Sequence, residues 1–177
     1  MSDRLAAIRL MRDRVGGDVP VMGWVEGPLA EAADLRGVNQ LLLDLYDRPQ
    51  FVEDLLDLCL DVEIVFAQAQ IEAGADIIGL GDAVASQISP RMYRKWAQPY
   101  ERRIFDVVRE HGRVSRLHIC GDTSRILEDM AATGADIIDV DWMVDFGEAA
   151  QIFQSRVDGG PAAACGISCT GVPPDAR

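Results

Sequence analysis

Gly74-Ala75-Asp76-Ile77-Ile78-Gly79-Leu80-Gly81-Asp82 decides the fold. A glycine suited to stop a helix is followed at once by an apolar run too short for another helix, and the run ends on a carboxylate. Upstream, Phe51, Leu55, Leu56, Leu58, Val62, Val65 and Phe66 recur at helical spacing as far as Ala73. Asp47-Arg48-Pro49 is the expected start of that helix, with Asp47 as its N-cap and Pro49 in its first turn. Downstream, Ser89-Pro90 opens a helix carrying Met92, Trp96, Tyr100, Ile104, Val107 and Val108, with Gly112 as its stop. The segment therefore reads as helix, buried strand, helix.

The same transition recurs along the chain. Val21 to Val25 runs into Glu26, Val114 to Ile119 into Cys120, and Ile137 to Val140 into Asp141. Between them lie an expected helix over 124–133, closed by Gly134, and a final short one over 146–153. Gly74-Ala75-Asp76-Ile77-Ile78 returns as Gly134-Ala135-Asp136-Ile137-Ile138, each ending a helix and entering a strand. Continuous apolar strands alternating with helices predict an α/β protein with a parallel sheet. No Gly-x-Gly-x-x-Gly follows any strand, which weakens a doubly wound dinucleotide fold. Reactive or polar residues at the carboxyl end of every strand favour the (β/α)8 TIM-barrel type. Such a barrel takes about eight strands, so four strands predict an incomplete one of about four βα units over residues 1–156. The remainder, 157–177, is rich in Gly, Pro and small residues and is expected to be irregular or disordered. An unclosed sheet offers unpaired backbone at its edges, so self-association is expected.

Composition narrows the function classes. Seventeen Lys and Arg against twenty-nine Asp and Glu give a net charge of −12 over 177 residues. That sign opposes binding to nucleic acid or to an anionic membrane. There is no uncharged apolar run of about 18 residues to span a bilayer. The charged start, MSDRLAAIRLMRDR, lacks the apolar core of a signal peptide. Cys59, Cys120, Cys165 and Cys169 are too scattered for a disulfide framework. A cytoplasmic protein is the expectation.

The residues with chemical potential gather at the strand ends. In Leu117-His118-Ile119-Cys120-Gly121-Asp122, His118 and Cys120 stand two apart and share one face of a strand. An imidazole and a thiolate so placed can converge on one Zn²⁺ ion, and a zinc site that does chemistry takes three protein ligands and an open position. The plainer reading is a hydrogen-bonded histidine beside a small buried cysteine. Glu26, Asp82 and Asp141 are candidate catalytic carboxylates, able to act as general acids or bases or to fix a ligand's polar groups; each is equally suited to cap a helix. Asp139 is placed within its strand to face the barrel interior. Cys59 lies among leucines and reads as core; Cys165 or Cys169 is a possible third zinc ligand. Ser89 reads as an N-cap, and His111 as a partner of its helix C-terminus.

Four motifs occur here in the order found in the uroporphyrinogen decarboxylase superfamily. They are Gly23-Trp24-Val25-Glu26-Gly27-Pro28, then Gly81-Asp82 through Ser86-Gln87-Ile88-Ser89-Pro90, then His118-Ile119-Cys120-Gly121, then Val140-Asp141-Trp142. The resemblance spans roughly residues 18–155 and implies the barrel independently. Within the superfamily the chain resembles two branches. The decarboxylases, which act on tetrapyrrole acetate side chains in porphyrin biosynthesis without cofactor, match at Gly27-Pro28 and Asp141-Trp142. Their active-site tyrosine, however, falls on Asp34. The methylcobamide:coenzyme M methyltransferases carry His-x-Cys-Gly as zinc ligands, which His118 and Cys120 match. That branch implies zinc-dependent methyl transfer to a small-molecule thiol, with a corrinoid protein as partner. An inactive fragment or one part of a split barrel is the remaining alternative.

Overall fold

The computed structural model describes residues 1–155 and 164–168, with backbone alone for 154–155 and 164–168. Helix α1 (Ser2–Val15) precedes strand β1 (Met22–Glu26). Helices α2 (Pro28–Arg36), α3 (Val38–Asp47) and α4 (Pro49–Glu72) lead to β2 (Ile77–Gly81). A 3-10 turn (Ala83–Gln87), α5 (Pro90–Trp96) and α6 (Gln98–Glu110) lead to β3 (Val114–His118). The chain continues through α7 (Leu127–Ala131), β4 (Ile137–Asp141), α8 (Phe146–Ser155) and β5 (Ala164–Ser168). All neighbouring strands are parallel and stand in the order β1-β2-β3-β4-β5. A doubly wound sheet reverses its order at a switch point; this one does not, so it is an incomplete (β/α)8-type sheet.

The repeated Gly-Ala-Asp pentapeptides have one physical job. Gly74 and Gly134 take φ of +110° and +85°, the left-handed turn that ends each helix. The aspartate then clamps the start of the preceding strand. Asp76 Oδ2 accepts the Val21 N–H at 2.8 Å, and Asp136 Oδ2 accepts the Ser115 N–H at 2.7 Å and its hydroxyl at 2.8 Å. Arg12 of α1 reaches over to pair with Asp76, tying the first helix to the bottom of the sheet.

Alternation then sorts the strands' two faces. Val25, Ile78, Leu80, Leu117, Ile138 and Val140 are buried under the helices, packed with Leu56, Leu60, Tyr93, Trp96 and Phe105. The other face holds Trp24, Glu26, Arg116, His118, Asp139 and Asp141. One register row runs Glu26, Gly81, His118, Asp139 across β1 to β4.

Several expectations need correction. Asp47 is the last residue of α3 and does not cap α4, whose N-cap position is Arg48, without a side-chain cap. The apolar face of α3, buried through Leu41 and Leu45, extends that helix across the site where a cap was expected. The single helix expected from Ser89 breaks at Ala97, because Pro99 has no N–H to offer and its ring clashes with the preceding turn. The helix expected over 124–133 shrinks to α7, since the Asp122 carboxylate takes the Ser124 N–H at 3.1 Å and holds a turn there. Part of the tail expected to be irregular is β5, paired with β4 from Ala164 opposite Ile137 to Ser168 opposite Asp141. Its small residues carry no strand period; the free edge of β4 supplies the template.

Candidate functional site

The strand ends converge as expected. Glu26 and Asp141 close β1 and β4, Asp82 follows β2, and Cys120 stands two residues past the end of β3. His118 Nε2 lies 3.0 Å from Cys120 Sγ. Ligands at tetrahedral zinc distances sit about 3.5 Å apart, so a small opening of this contact would admit the ion. Burial and then the Asp141 charge push the Cys120 thiol up from its ordinary pKa.

Asp141 builds the loop that carries this cysteine. Its Oδ2 accepts the Gly121 N–H at 2.8 Å, and its Oδ1 accepts the Trp142 N–H at 2.7 Å. Gly121 sits at φ +92°, a conformation that only glycine adopts without strain. The turn after Cys120 is thus fixed from the neighbouring strand.

Behind His118 stands a charged pair. Arg116 Nε and Nη2 each lie 2.8 Å from Asp139 Oδ2, and the same oxygen is 3.6 Å from His118 Nδ1. Burial pushes Asp139 up, but His118 and Arg116 facing it outweigh that and hold its carboxyl below the usual range. His118 Nδ1 is buried and has no hydrogen-bond partner.

Trp24 forms a wall of the site. A side chain on Gly79 or Gly81 would strike its ring, at 2.4 and 2.8 Å respectively, so the two glycines of β2 make the space in which the indole lies. Its ring centroid is 6.4 Å from that of His118, and its Nε1–H donates to Glu26 Oε1 at 3.2 Å. Burial raises the pKa of Glu26, opposed by that indole bond.

Asp82 is different. It is fully buried, its carboxyl pressed against Gly27 and facing the backbone amides of Leu29 and Ala30 at the start of α2, although neither oxygen reaches hydrogen-bond geometry. Burial pushes its pKa up, with those amides opposing. Its own N–H donates to the His118 carbonyl at 3.0 Å, so its direct tie to the site runs through the backbone. Nearby, the Tyr93 hydroxyl donates to buried Glu101 at 2.5 Å, a pair that no local spacing announced.

Other expectations are met by geometry. Ser89 Oγ accepts the Met92 N–H, and His111 Nδ1 lies 2.8 Å from the Val107 carbonyl. Cys59 is buried in the core, which pushes its thiol up to about 11. Among the described residues no third Cys, His, Asp or Glu joins His118 and Cys120 in a metal-sized cluster. Cys165 occupies the register position of Ile138, one residue out of step with Asp139; Cys169 lies outside the described residues. The two donors in contact, backed by an unpartnered imidazole nitrogen facing a carboxylate, fit a zinc ion as two of its ligands. No helix among the described residues is long and apolar enough to cross a membrane.

Comparison with known proteins shows what the chain is similar to. Residues 2–160 match the family model described as uroporphyrinogen decarboxylase (URO-D). The chain is 33% identical over 173 residues to the methylcobamide:CoM methyltransferase MtbA of Methanosarcina mazei, covering 97% of this chain and 51% of that protein. It is 36% identical over 149 residues to MtaA of Methanosarcina barkeri, also a methylcobamide:CoM methyltransferase, covering 83% and 42%. The uroporphyrinogen decarboxylase of Nocardia farcinica is 32% identical over 150 residues, 81% of this chain and 42% of that protein. A solved structure of a methyltransferase from Methanosarcina mazei superposes with a TM-score of 0.82 at 31% identity, covering 93% of this chain and 47% of that one. The chain spans about half the length of the curated relatives it matches.

Proposed function

Since the chain belongs to the uroporphyrinogen decarboxylase (URO-D) family, we propose that it serves zinc-dependent methyl transfer from a methylated corrinoid to a small-molecule thiol. The observation that carries this reading is the 3.0 Å contact between His118 Nε2 and Cys120 Sγ at the carboxyl end of β3. Two further features support it: the Asp141 anchor on the following turn, and the similarity to two methylcobamide:CoM methyltransferases.

His118 and Cys120 would hold the metal, with a third ligand from Cys169 or a carboxylate, since Cys165 shares the register row of helix-covered Ile138. Zinc bound there supplies a Lewis acid that favours the thiolate form of a substrate thiol at neutral pH. The chain's own residues do the rest. Asp141 fixes the Cys120–Gly121 turn, and Trp24 forms one wall beside His118. Glu26, which shares a register row with His118, would take the proton that the thiol loses. Asp82 acts on the site through its backbone bond to His118. The partner is a corrinoid protein presenting the methyl group to the face where the strands end.

The test mixes the chain, loaded with zinc, with methylcobalamin and 2-mercaptoethanesulfonate and follows the corrinoid spectrum. Loss of the methylcobalamin bands that requires both the thiol and Cys120 supports the reading. Turnover of uroporphyrinogen without zinc would favour the decarboxylase instead, a reading that the 32% identity to the Nocardia farcinica enzyme keeps open.

A further inference from the structure

We propose that Asp139, held by Arg116, is a positioning residue that fixes His118 as its Nδ1–H tautomer and so turns the Nε2 lone pair toward Cys120. A neutral imidazole carries one N–H, and the partner of one nitrogen decides the role of the other. At His118 the two nitrogens face chemically opposite groups. Nδ1 looks at Asp139 Oδ2 across 3.6 Å, while Nε2 touches Cys120 Sγ at 3.0 Å. A proton on Nε2 would leave the buried Nδ1 lone pair facing a carboxylate oxygen, with no donor to satisfy that nitrogen. A proton on Nδ1 points at the carboxylate, and the Nε2 lone pair is then free for the cysteine S–H or for a metal.

Arg116 makes this arrangement one-sided. Its Nε and Nη2 both engage Asp139 Oδ2, so that oxygen is held beside the imidazole. Arg116 and His118 lie on the same strand two residues apart, and Asp139 pairs in register with His118. The relay is therefore built into the sheet. Carboxylates behind ligating histidines set tautomer and ring orientation in metal sites generally, and their loss costs about 10–100-fold in metal affinity. The inference rests on the proposed metal role only for its purpose; the tautomer itself belongs to the metal-free chain.

The chain has two histidines, so long-range ¹H–¹⁵N correlation spectra of the metal-free, full chain give two resolvable imidazoles. His111, whose Nδ1 lies 2.8 Å from the Val107 carbonyl, is the internal Nδ1–H reference. At a pH above the imidazole titration, wild-type His118 is expected in the Nδ1–H form. Asp139→Asn should move it toward the Nε2–H form that free imidazole side chains favour. Arg116→Met should do so partly, and Arg116→Lys should restore the wild-type pattern. Asp139→Asn should also weaken zinc about 10–100-fold. A wild-type His118 that is mainly Nε2–H overturns the proposal, as does a folded Asp139→Asn or Arg116→Met chain with an unchanged tautomer. If Asp139→Asn does not fold, the wild-type spectrum and the two arginine variants decide. An Nδ1–H wild type that responds to these variants but transfers no methyl group keeps this inference and removes the proposed function.

Discussion

Asp141 Oδ2 accepts the backbone N–H of Gly121 at 2.8 Å, so the last residue of one strand holds the turn that follows the neighbouring strand's histidine and cysteine. The acidic residue that follows three of the four apolar runs is thus not one repeated device. At Asp141 it fastens a loop, at Asp82 it is enclosed behind the site, and at Glu26 it remains half-exposed beside Trp24.

Removing the Asp141 anchor should have a local cost. Asp141→Ala leaves the Gly121 and Trp142 amides without acceptors, a loss of about 1–3 kcal/mol in urea unfolding. Asp141→Asn keeps one acceptor oxygen and should lose less. Equal stability of wild type and Asp141→Ala would mean that the turn is held by something else.

The wall that Trp24 makes depends on two missing side chains. A Cβ at Gly79 would sit 2.4 Å from the indole, closer than such contacts allow unless something shifts. Gly79→Ala should therefore cost about 1–3 kcal/mol, as overpacked cores do. Adding Trp24→Leu should recover part of that loss. Additive effects in thermal unfolding would contradict the contact.

Glu63 makes stability depend on pH. It is buried beside a cavity of about 440 Å³ shared with Glu26, Glu31 and Asp34, and Oε2 has no partner. Burial, then the Glu31 charge, raises its pKa from 4.5 to about 7. The folded chain thus holds this proton more tightly than the unfolded one, so stability is present below the unfolded pKa and falls as pH rises through the folded value. Glu63→Gln should leave stability unchanged near pH 4 and raise it by about 1–2 kcal/mol at pH 8, less than full desolvation because the cavity admits water. An equal effect at both pH values would refute the assignment.

The β1 edge is better defended than an open sheet suggests. Gln70 of α4 accepts the Trp24 N–H at 2.8 Å and donates to its carbonyl at 3.0 Å, occupying the groups another strand would use. Gln70→Leu should expose both, costing about 1–3 kcal/mol and promoting self-association. Sedimentation velocity reads this directly: a variant no more associated than wild type would show that the edge is guarded elsewhere.

What the sequence made legible follows from the range of each interaction. Helix stops at Gly74, Gly112 and Gly134, the Ser89 cap and the four strand ends are local, and each could be read from neighbouring residues. The partnership of His118 with Cys120 is also local, two apart on one strand. The break at Ala97 was available in Pro99 but was masked by an unbroken apolar period. Arg116 with Asp139, Trp24 over Gly79 and Gly81, Gln70 on Trp24 and Tyr93 with Glu101 depend on register or helix packing between distant segments. Residue spacing alone does not carry such pairings. Strand β5 belongs with them, since its small residues take a strand form by pairing with β4.

The proposed function turns on zinc binding by His118 and Cys120. Equilibrium dialysis of the full chain against low zinc, followed by metal analysis, tests it most directly when wild type, Cys120→Ala and Cys59→Ala are compared. Wild type and Cys59→Ala should retain zinc alike, Cys120→Ala should lose most of it, and binding should weaken as pH falls and protons compete for thiolate and imidazole. Equal zinc in wild type and Cys120→Ala would contradict it and leave the pair as a packed strand end.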